Sequence, residues 1–284
     1  MLTTRPMNGS AEGHPAAVRS AGGAALEAFG VRFGIEANRP EILAALEDFL
    51  PPTRTPACPH PDDRIYSLIA PGAGGTSGDD YRLYVNSRLQ SSSSDPMDLF
   101  EHVEGDLQIH LGETARHFVF LHAGVVAWRG VGIVLPGKSY CGKSTLVAAL
   151  VRAGATYYSD EFAVLDGNGA IHPYPRRLSL REEGKSRAVR RSVESLGGHR
   201  GTDPIRPGLV LLTRYRPGGR WAPRRVAPAE AIFELVRNSL SIRRQPGPVL
   251  NVLGHLVQEA VVLETDRGDA DDTAGPLLTL QLAR

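Results

Sequence analysis

Nine consecutive residues in the middle of the chain have the types and spacing that bind nucleotide phosphate. They match Gly-x-x-x-x-Gly-Lys-[Ser/Thr] and are Gly137, Lys138, Ser139, Tyr140, Cys141, Gly142, Lys143, Ser144 and Thr145. In this pattern backbone N–H groups surround a phosphate, Lys143 reaches the outer phosphates, and the Ser144 hydroxyl ligates Mg²⁺. Apolar runs at 131–135 and 146–151 predict the required strand before the loop and helix after it. The positive end of that helix would face the anion.

The use of lysine argues against a chance match. The chain has 32 lysines and arginines, but only Lys138, Lys143 and Lys185 are lysines. Two of these three lie inside the loop, whereas arginine supplies the positive charge elsewhere. We therefore expect the loop to bind nucleotide phosphate.

Two acids follow the next predicted strand, at Asp160 and Glu161. In a parallel sheet the carboxyl end of this strand would lie at the same edge as the loop, where ligands bind. One acid could then reach a metal ion while the other faces a phosphate acceptor. Taken alone, a solvated acidic strand end would be the simpler interpretation.

His122 lies in the apolar segment 118–128, which predicts a strand just before the loop hairpin. A single histidine in such a strand is usually a core residue. Because imidazole exchanges a proton near neutral pH, His122 would matter if its strand lay next to the acids.

Three segments together resemble the catalytic core of HPr kinase/phosphorylase: His122-Ala123-Gly124-Val125-Val126, the loop with its preceding strand, and the stretch from Arg152-Ala153-Gly154 to Asp160-Glu161. The resemblance covers residues 120–170. It implies a mixed α/β sheet related to that of phosphoenolpyruvate carboxykinase, and transfer of phosphate from ATP, with Mg²⁺, to a serine hydroxyl. It further implies that Lys143 holds phosphates, that Ser144, Glu161 and Asp160 bind metal, that Asp160 is also the general base, and that His122 supports the acid.

The loop departs from the family at Tyr140-Cys141, and Thr145 replaces a glutamate. The acceptor is therefore left open as a hydroxyl of a peptide, protein or small molecule. The alternative function is a nucleotide-binding regulatory module with little phosphotransfer. Signature motifs of motor and transport ATPases are absent from the sequence.

Composition limits the partners. Net charge is +1, which predicts neither nucleic-acid nor membrane binding. Cys58 and Cys141 fit no disulfide framework or zinc spacing, and residues 1–25 lack the apolar core of a signal peptide. A cytoplasmic protein is expected, and a homo-oligomer is left open.

The chain is expected to have three parts: a disordered tail at 1–25, a small α+β region at 26–115, and a phosphate-binding α/β domain at 116–284. The pattern predicts a strand at 29–35, a helix from Pro40, and a helix from Asp95 to Thr114. Residues 91–94 look like a loop, and 182–196 like a helix.

Overall fold

The computed structural model describes residues 21–72, 80–137, 141–181, 184–185 and 187–280. The described chain is mixed α/β and divides into two compact units, up to Ala115 and from Arg116 onward. Lys138, Ser139 and Tyr140 of the predicted phosphate loop lie outside the described residues.

The first unit contains a six-stranded sheet among its described residues. Its elements are β1 (Gly22–Ala28), β2 (Val31–Ala37), α1 (Pro40–Leu46), a 3-10 turn (Glu47–Phe49), β3 (Thr55–Pro56), β4 (Arg64–Ile69), β5 (Tyr81–Val85), β6 (Arg88–Ser93) and α2 (Pro96–Thr114). The strand order is β3-β1-β2-β4-β5-β6, with β2 and β4 parallel. The Asp95 side chain caps α2 by accepting a hydrogen bond of 2.9 Å from the Met97 N–H, as its sequence pattern predicts.

The second unit carries the predicted site. Its elements are β7 (Phe118–Trp128), β8 (Val131–Pro136), α3 (Lys143–Arg152), β9 (Thr156–Ser159), β10 (Phe162–Asp166), β11 (Ile171–His172), β12 (Leu178–Leu180), β13 (Val189–Arg191), a 3-10 turn (Glu194–Leu196), β14 (Pro207–Tyr215), β15 (Arg224–Arg225), α4 (Pro228–Val236), α5 (Pro246–Glu259), β16 (Val261–Arg267) and α6 (Ala270–Leu278).

The main sheet of this unit runs β11-β10-β7-β8-β14-β16-β15, and β9 also pairs with β7. Strands β8, β14 and β16 are parallel, so their carboxyl ends share one edge. Helices α3 and α6 pack on one face in a core that includes Leu146, Leu150 and Leu277. Helices α4 and α5 pack on the other face through Leu235 and Leu253. The sheet is thus the middle of three layers.

Four local predictions were wrong in structure type or in their boundaries. Residues 22–25, assigned to the tail, belong to β1, and the predicted strand at 29–35 begins only at Val31. Small residues let β1 pair closely, since a Cβ on Gly23 would lie 2.8 Å from the Ile35 carbonyl oxygen. Residues 91–94 mostly belong to the polar edge strand β6. Within 182–196, the described part forms β13 and a 3-10 turn rather than a helix, because β13 pairs with β12.

Candidate active site

The loop between β8 and α3 begins at Gly137 and returns to regular structure at Gly142. Gly142 has φ +85°, a left-handed conformation that favours glycine, and stands immediately before α3. Lys143 is the first residue of α3, and its Nζ donates a hydrogen bond of 2.8 Å to the Gly137 carbonyl. The lysine side chain therefore folds back across the loop. Ser144 and Cys141 are half-buried, and Thr145 is exposed.

Lys143 is buried at the start of α3, with 9% of its surface exposed. Burial lowers the pKa of its ammonium group, and the nearby Cys141, Glu161 and Asp160 oppose that shift. The two predicted acids thus act electrostatically on the predicted phosphate-binding lysine. The first turn of α3 contains no acidic residue.

The two acids lie in the middle of one long antiparallel run along β7. Ser159 pairs with Val125 before them, and Phe162 pairs with His122 after them. The Ser159 hydroxyl accepts hydrogen bonds from the N–H groups of Glu161 (3.1 Å) and Phe162 (2.9 Å), which fixes the bend.

The strand that precedes the acids was expected to sit in a parallel sheet with β8. Instead β7 lies between β9 and β8 and is antiparallel to both. Strands β8 and β9 consequently run in the same direction, and their carboxyl ends still meet at one edge.

Asp160 is 2% exposed, and each of its carboxylate oxygens accepts a hydrogen bond. The Tyr157 hydroxyl donates to Oδ1 at 2.9 Å, and the Ser179 N–H donates to Oδ2 at 3.2 Å. Tyr157 is itself fully buried, and burial together with the Asp160 charge raises the pKa of its phenol well above the ordinary value. The phenol therefore stays a proton donor to Asp160.

His122 lies beside Glu161, with 3.4 Å between Nδ1 and Oε1. Burial lowers the pKa of His122 to about 4, and the charge of Lys143 contributes to the shift. The imidazole is therefore neutral near pH 7. Its backbone also ties the site together, since the His122 N–H donates to the Asn238 carbonyl (2.7 Å) and its carbonyl accepts from the Gly137 N–H (3.2 Å).

A missing side chain lets α3 approach β7 closely. A Cβ on Gly124 would come within 2.6 Å of Val147 Cγ2 on α3. Because alternate residues of a strand face the same side, His122, Gly124 and Val126 share the α3 face of the sheet. This arrangement puts the histidine on the same side as the start of α3.

Sequence reasoning missed Arg267, at the carboxyl end of β16. Its guanidinium is 3% exposed and donates a hydrogen bond of 2.9 Å from Nη2 to the Gly142 carbonyl. Tyr157, Ser179 and Asn238 were also missed. The sequence offered one signal for Arg267: it follows an apolar run that predicts a strand, and the carboxyl ends of parallel strands share the edge where ligands bind.

An open cleft of about 800 Å³ borders the loop at Pro136, Gly137 and Cys141. The carboxyl ends of β14 and β16 and one side of α4 form its other walls. Two lining atoms, Thr213 Oγ1 and Asn238 Oδ1, are buried without a hydrogen-bond partner among the described residues.

The residues at the sheet edge suit a magnesium nucleotide. Ser144 and Glu161 offer hydroxyl and carboxylate oxygens, the ligand types that Mg²⁺ prefers. Glu161 keeps 29% of its side chain exposed. In the described part of the chain, no group of three or more His, Cys, Asp or Glu side chains is arranged to hold a metal by itself.

Neither of two comparisons with known proteins assigns the chain to a family. No protein-family model matches it, and no curated protein is significantly similar to it. Among the described helices, none has the length and apolar character needed to cross a membrane.

Proposed function

We propose that the protein is an ATP- and Mg²⁺-dependent kinase of the HPr-kinase-like class. It would transfer the γ-phosphate to a serine-type hydroxyl of a peptide, protein or small molecule. The observation that carries this proposal is that His122 connects the loop with the acids: its carbonyl accepts from the Gly137 N–H at 3.2 Å, and its Nδ1 lies 3.4 Å from Glu161 Oε1. The Lys143 Nζ donates to the carbonyl of the same Gly137 at 2.8 Å. Phosphoryl transfer depends on positioned cations, a metal-binding acid and a base, and we assign these roles to Lys143, Glu161 and Asp160.

The residues would divide the work as follows. Lys143 and the N-terminus of α3 hold the nucleotide phosphates. Ser144 and Glu161 hold Mg²⁺, which neutralises charge on the transferred phosphoryl group. Asp160 accepts the proton of the acceptor hydroxyl. The oxygen of that hydroxyl bonds to the γ-phosphorus while the bond between the γ-phosphorus and ADP breaks. Tyr157 and Ser179 keep the Asp160 carboxylate in one orientation.

His122 is proposed as a positioning residue. Because it is neutral, it adds no positive charge next to Lys143. Its side chain lies beside Glu161, and its backbone bonds connect Gly137 with Asn238. Substitution should therefore disturb the position of the Glu161 side chain, while the backbone bonds to Gly137 and Asn238 remain.

The cleft beside Gly137 is proposed to receive the acceptor. The Asn238 amide donates to the Glu234 carbonyl at 2.8 Å, which leaves its Oδ1 buried and without a partner within the described chain, in a residue that lines the cleft. This oxygen requires a donor, and the hydroxyl or N–H of an acceptor supplies one. Asn238→Ala is expected to raise the acceptor KM and leave the affinity for ATP unchanged.

Calorimetric titration with Mg·ATP tests the nucleotide site. We expect wild type to bind and Lys143→Ala to bind at least tenfold more weakly. Lys185→Ala is the matched control, since Lys185 is exposed and outside the site. Absence of Mg·ATP binding in wild type would refute the kinase and the regulatory alternative alike.

Transfer from radiolabelled ATP to L-serine and to serine-containing peptides tests the chemistry. We expect labelled product from wild type and none above background from Asp160→Asn. Full activity in Asp160→Asn together with loss in Glu161→Gln would reassign the base to Glu161.

One observation favours a second function. Asp160 is 2% exposed, so an acceptor reaches it only after neighbouring groups move. A nucleotide-binding regulatory module needs no such access. ATP binding without transfer to any hydroxyl compound, combined with nucleotide-dependent hydrogen exchange around α4, would favour that module over the kinase.

A further inference from the structure

Arg267 is a buried cation whose counter-charge the described protein does not provide. The residue is 3% exposed at the carboxyl end of β16. Its guanidinium donates to two backbone carbonyls, those of Gly142 (2.9 Å) and Gly268 (3.0 Å). Among the described residues, no carboxylate lies within ion-pair distance of it, and its Nε is buried without a hydrogen-bond partner.

An isolated buried charge is costly, so buried guanidinium groups are normally paired with carboxylates. Burial lowers the pKa of Arg267, with Cys141, Tyr215 and Asp269 partly opposing the shift. The Tyr215 ring faces the guanidinium at 5.4 Å, but a neutral ring stabilises a cation far less than a carboxylate does. Arg267 remains charged, because arginine does not deprotonate in proteins.

The position of Arg267 indicates what neutralises it. Its Nη2 contacts Gly142, the residue immediately before α3, and a Cβ on Gly142 would lie 2.6 Å from that nitrogen. A cation at the N-terminus of a helix is repelled by the helix dipole. Lys143 adds a second buried cation in the next position of the chain. An anion bound at the start of α3 would neutralise the positive charges of Arg267 and Lys143 and the positive end of the helix dipole.

We infer that Arg267 is part of the phosphate-binding site and that a bound polyphosphate supplies its counter-charge. The inference rests on the proposed nucleotide site and adds a cation from the distant strand β16. The ligand class is a nucleoside triphosphate or another linear polyphosphate. A guanidinium held against the loop can bond two phosphate oxygens, which an ammonium group cannot do in the same geometry.

Thermal melting without ligand separates a ligand-binding arginine from a structural brace. Arg267→Met keeps the length of the side chain, removes an uncompensated buried charge and also loses the hydrogen bonds to the Gly142 and Gly268 carbonyls. Because relief of the buried charge offsets the lost hydrogen bonds, we expect the ligand-free variant to melt at the wild-type temperature or above. A clear decrease in the ligand-free melting temperature would show that Arg267 mainly braces the loop, and would overturn the inference.

Titration with ATP and with inorganic tripolyphosphate tests the binding role directly. We expect Arg267→Met to weaken both ligands at least tenfold, and Arg267→Lys to retain part of the affinity. Arg152→Met is the control, because Arg152 is an exposed cation at the far end of α3 and pairs with Asp271. Wild-type affinity in Arg267→Met, with lost affinity in Lys143→Ala, would overturn the inference.

Arg267→Gln replaces the methionine variant if the latter does not fold. Failure of both neutral variants to fold would assign a structural role and refute the inference. These measurements require no phosphate transfer. A protein that binds polyphosphate through Arg267 and transfers nothing would contradict the proposed kinase but support the role of Arg267.

Discussion

Removing the Tyr157 hydroxyl should destabilise the second unit more than removing the hydroxyl of the adjacent Tyr158. Tyr157→Phe deletes a fully buried donor to the Asp160 carboxylate at 2.9 Å. A hydrogen bond to a charged group contributes about 1.5–3 kcal/mol. At roughly 2–4 °C per kcal/mol for a domain of this size, the melting temperature should fall by about 3–12 °C.

Tyr158→Phe is the matched control, since its hydroxyl donates to a neutral group, the Asp203 carbonyl, at 2.9 Å. The expected loss there is about 0.5–1.5 kcal/mol. Urea unfolding gives the free energy of unfolding for both variants. Hydrogen exchange at the Ser179 amide, which donates to Asp160, shows whether the carboxylate has moved. Equal losses in the two variants, with unchanged exchange at Ser179, would refute the reasoning about Asp160.

Three further changes probe the same unit. Leu150→Ala, fully buried on α3, should cost about 2–5 kcal/mol in the free energy of unfolding measured in urea. Gly142→Ala should weaken ATP binding in calorimetry and lower stability, because its φ of +85° and the approach of Arg267 both oppose a Cβ. In wild type without ligand, the free energy of unfolding should fall by up to about 3 kcal/mol as pH drops from about 6.5 to about 4, because unfolded His122 binds a proton before the folded form, whose pKa is about 4.

Two of these changes have a control variant, and the third has a contradicting result. Gly105→Ala, a helical glycine whose Cβ would meet open space, should be neutral or stabilising. His122→Phe should lose the part of the acid-range slope that His122 contributes, and an identical slope in wild type and variant would contradict the assignment. A loss below 1 kcal/mol for Leu150→Ala would contradict the close packing of α3.

The local pattern predicted the elements that carry the site. The strand at 118–128, the helix that starts at Lys143 and the capped helix after Asp95 all follow from apolar runs and turn residues close in sequence. The pairing of β7 with β9 and β10 could not be predicted, because those strands follow β7 only after β8 and α3.

The same limit applies to individual site residues. In the sequence Arg267 is one of many arginines, and only the structure shows that it lies beside Gly142. The burial of Asp160 was not foreseen either, because Tyr157 and Ser179 cover it only once β9 and β12 are in place. Spacing in the sequence reports which residue types are near each other along the chain, but not which of them is shielded from water.

The insertion of β14 between β8 and β16 has a consequence for the order of folding. Strands β7 and β8 are joined by the two-residue turn Arg129-Gly130, and the run from Thr156 to Asp166 follows soon after α3. Such local pairings form early, whereas pairing across a long intervening segment carries a larger loop-closure entropy and forms late. We therefore expect Lys143 and the acids to come together first, and Arg267 to arrive with the last strands. Arg267 would then complete the proposed phosphate site only when β16 has joined the sheet.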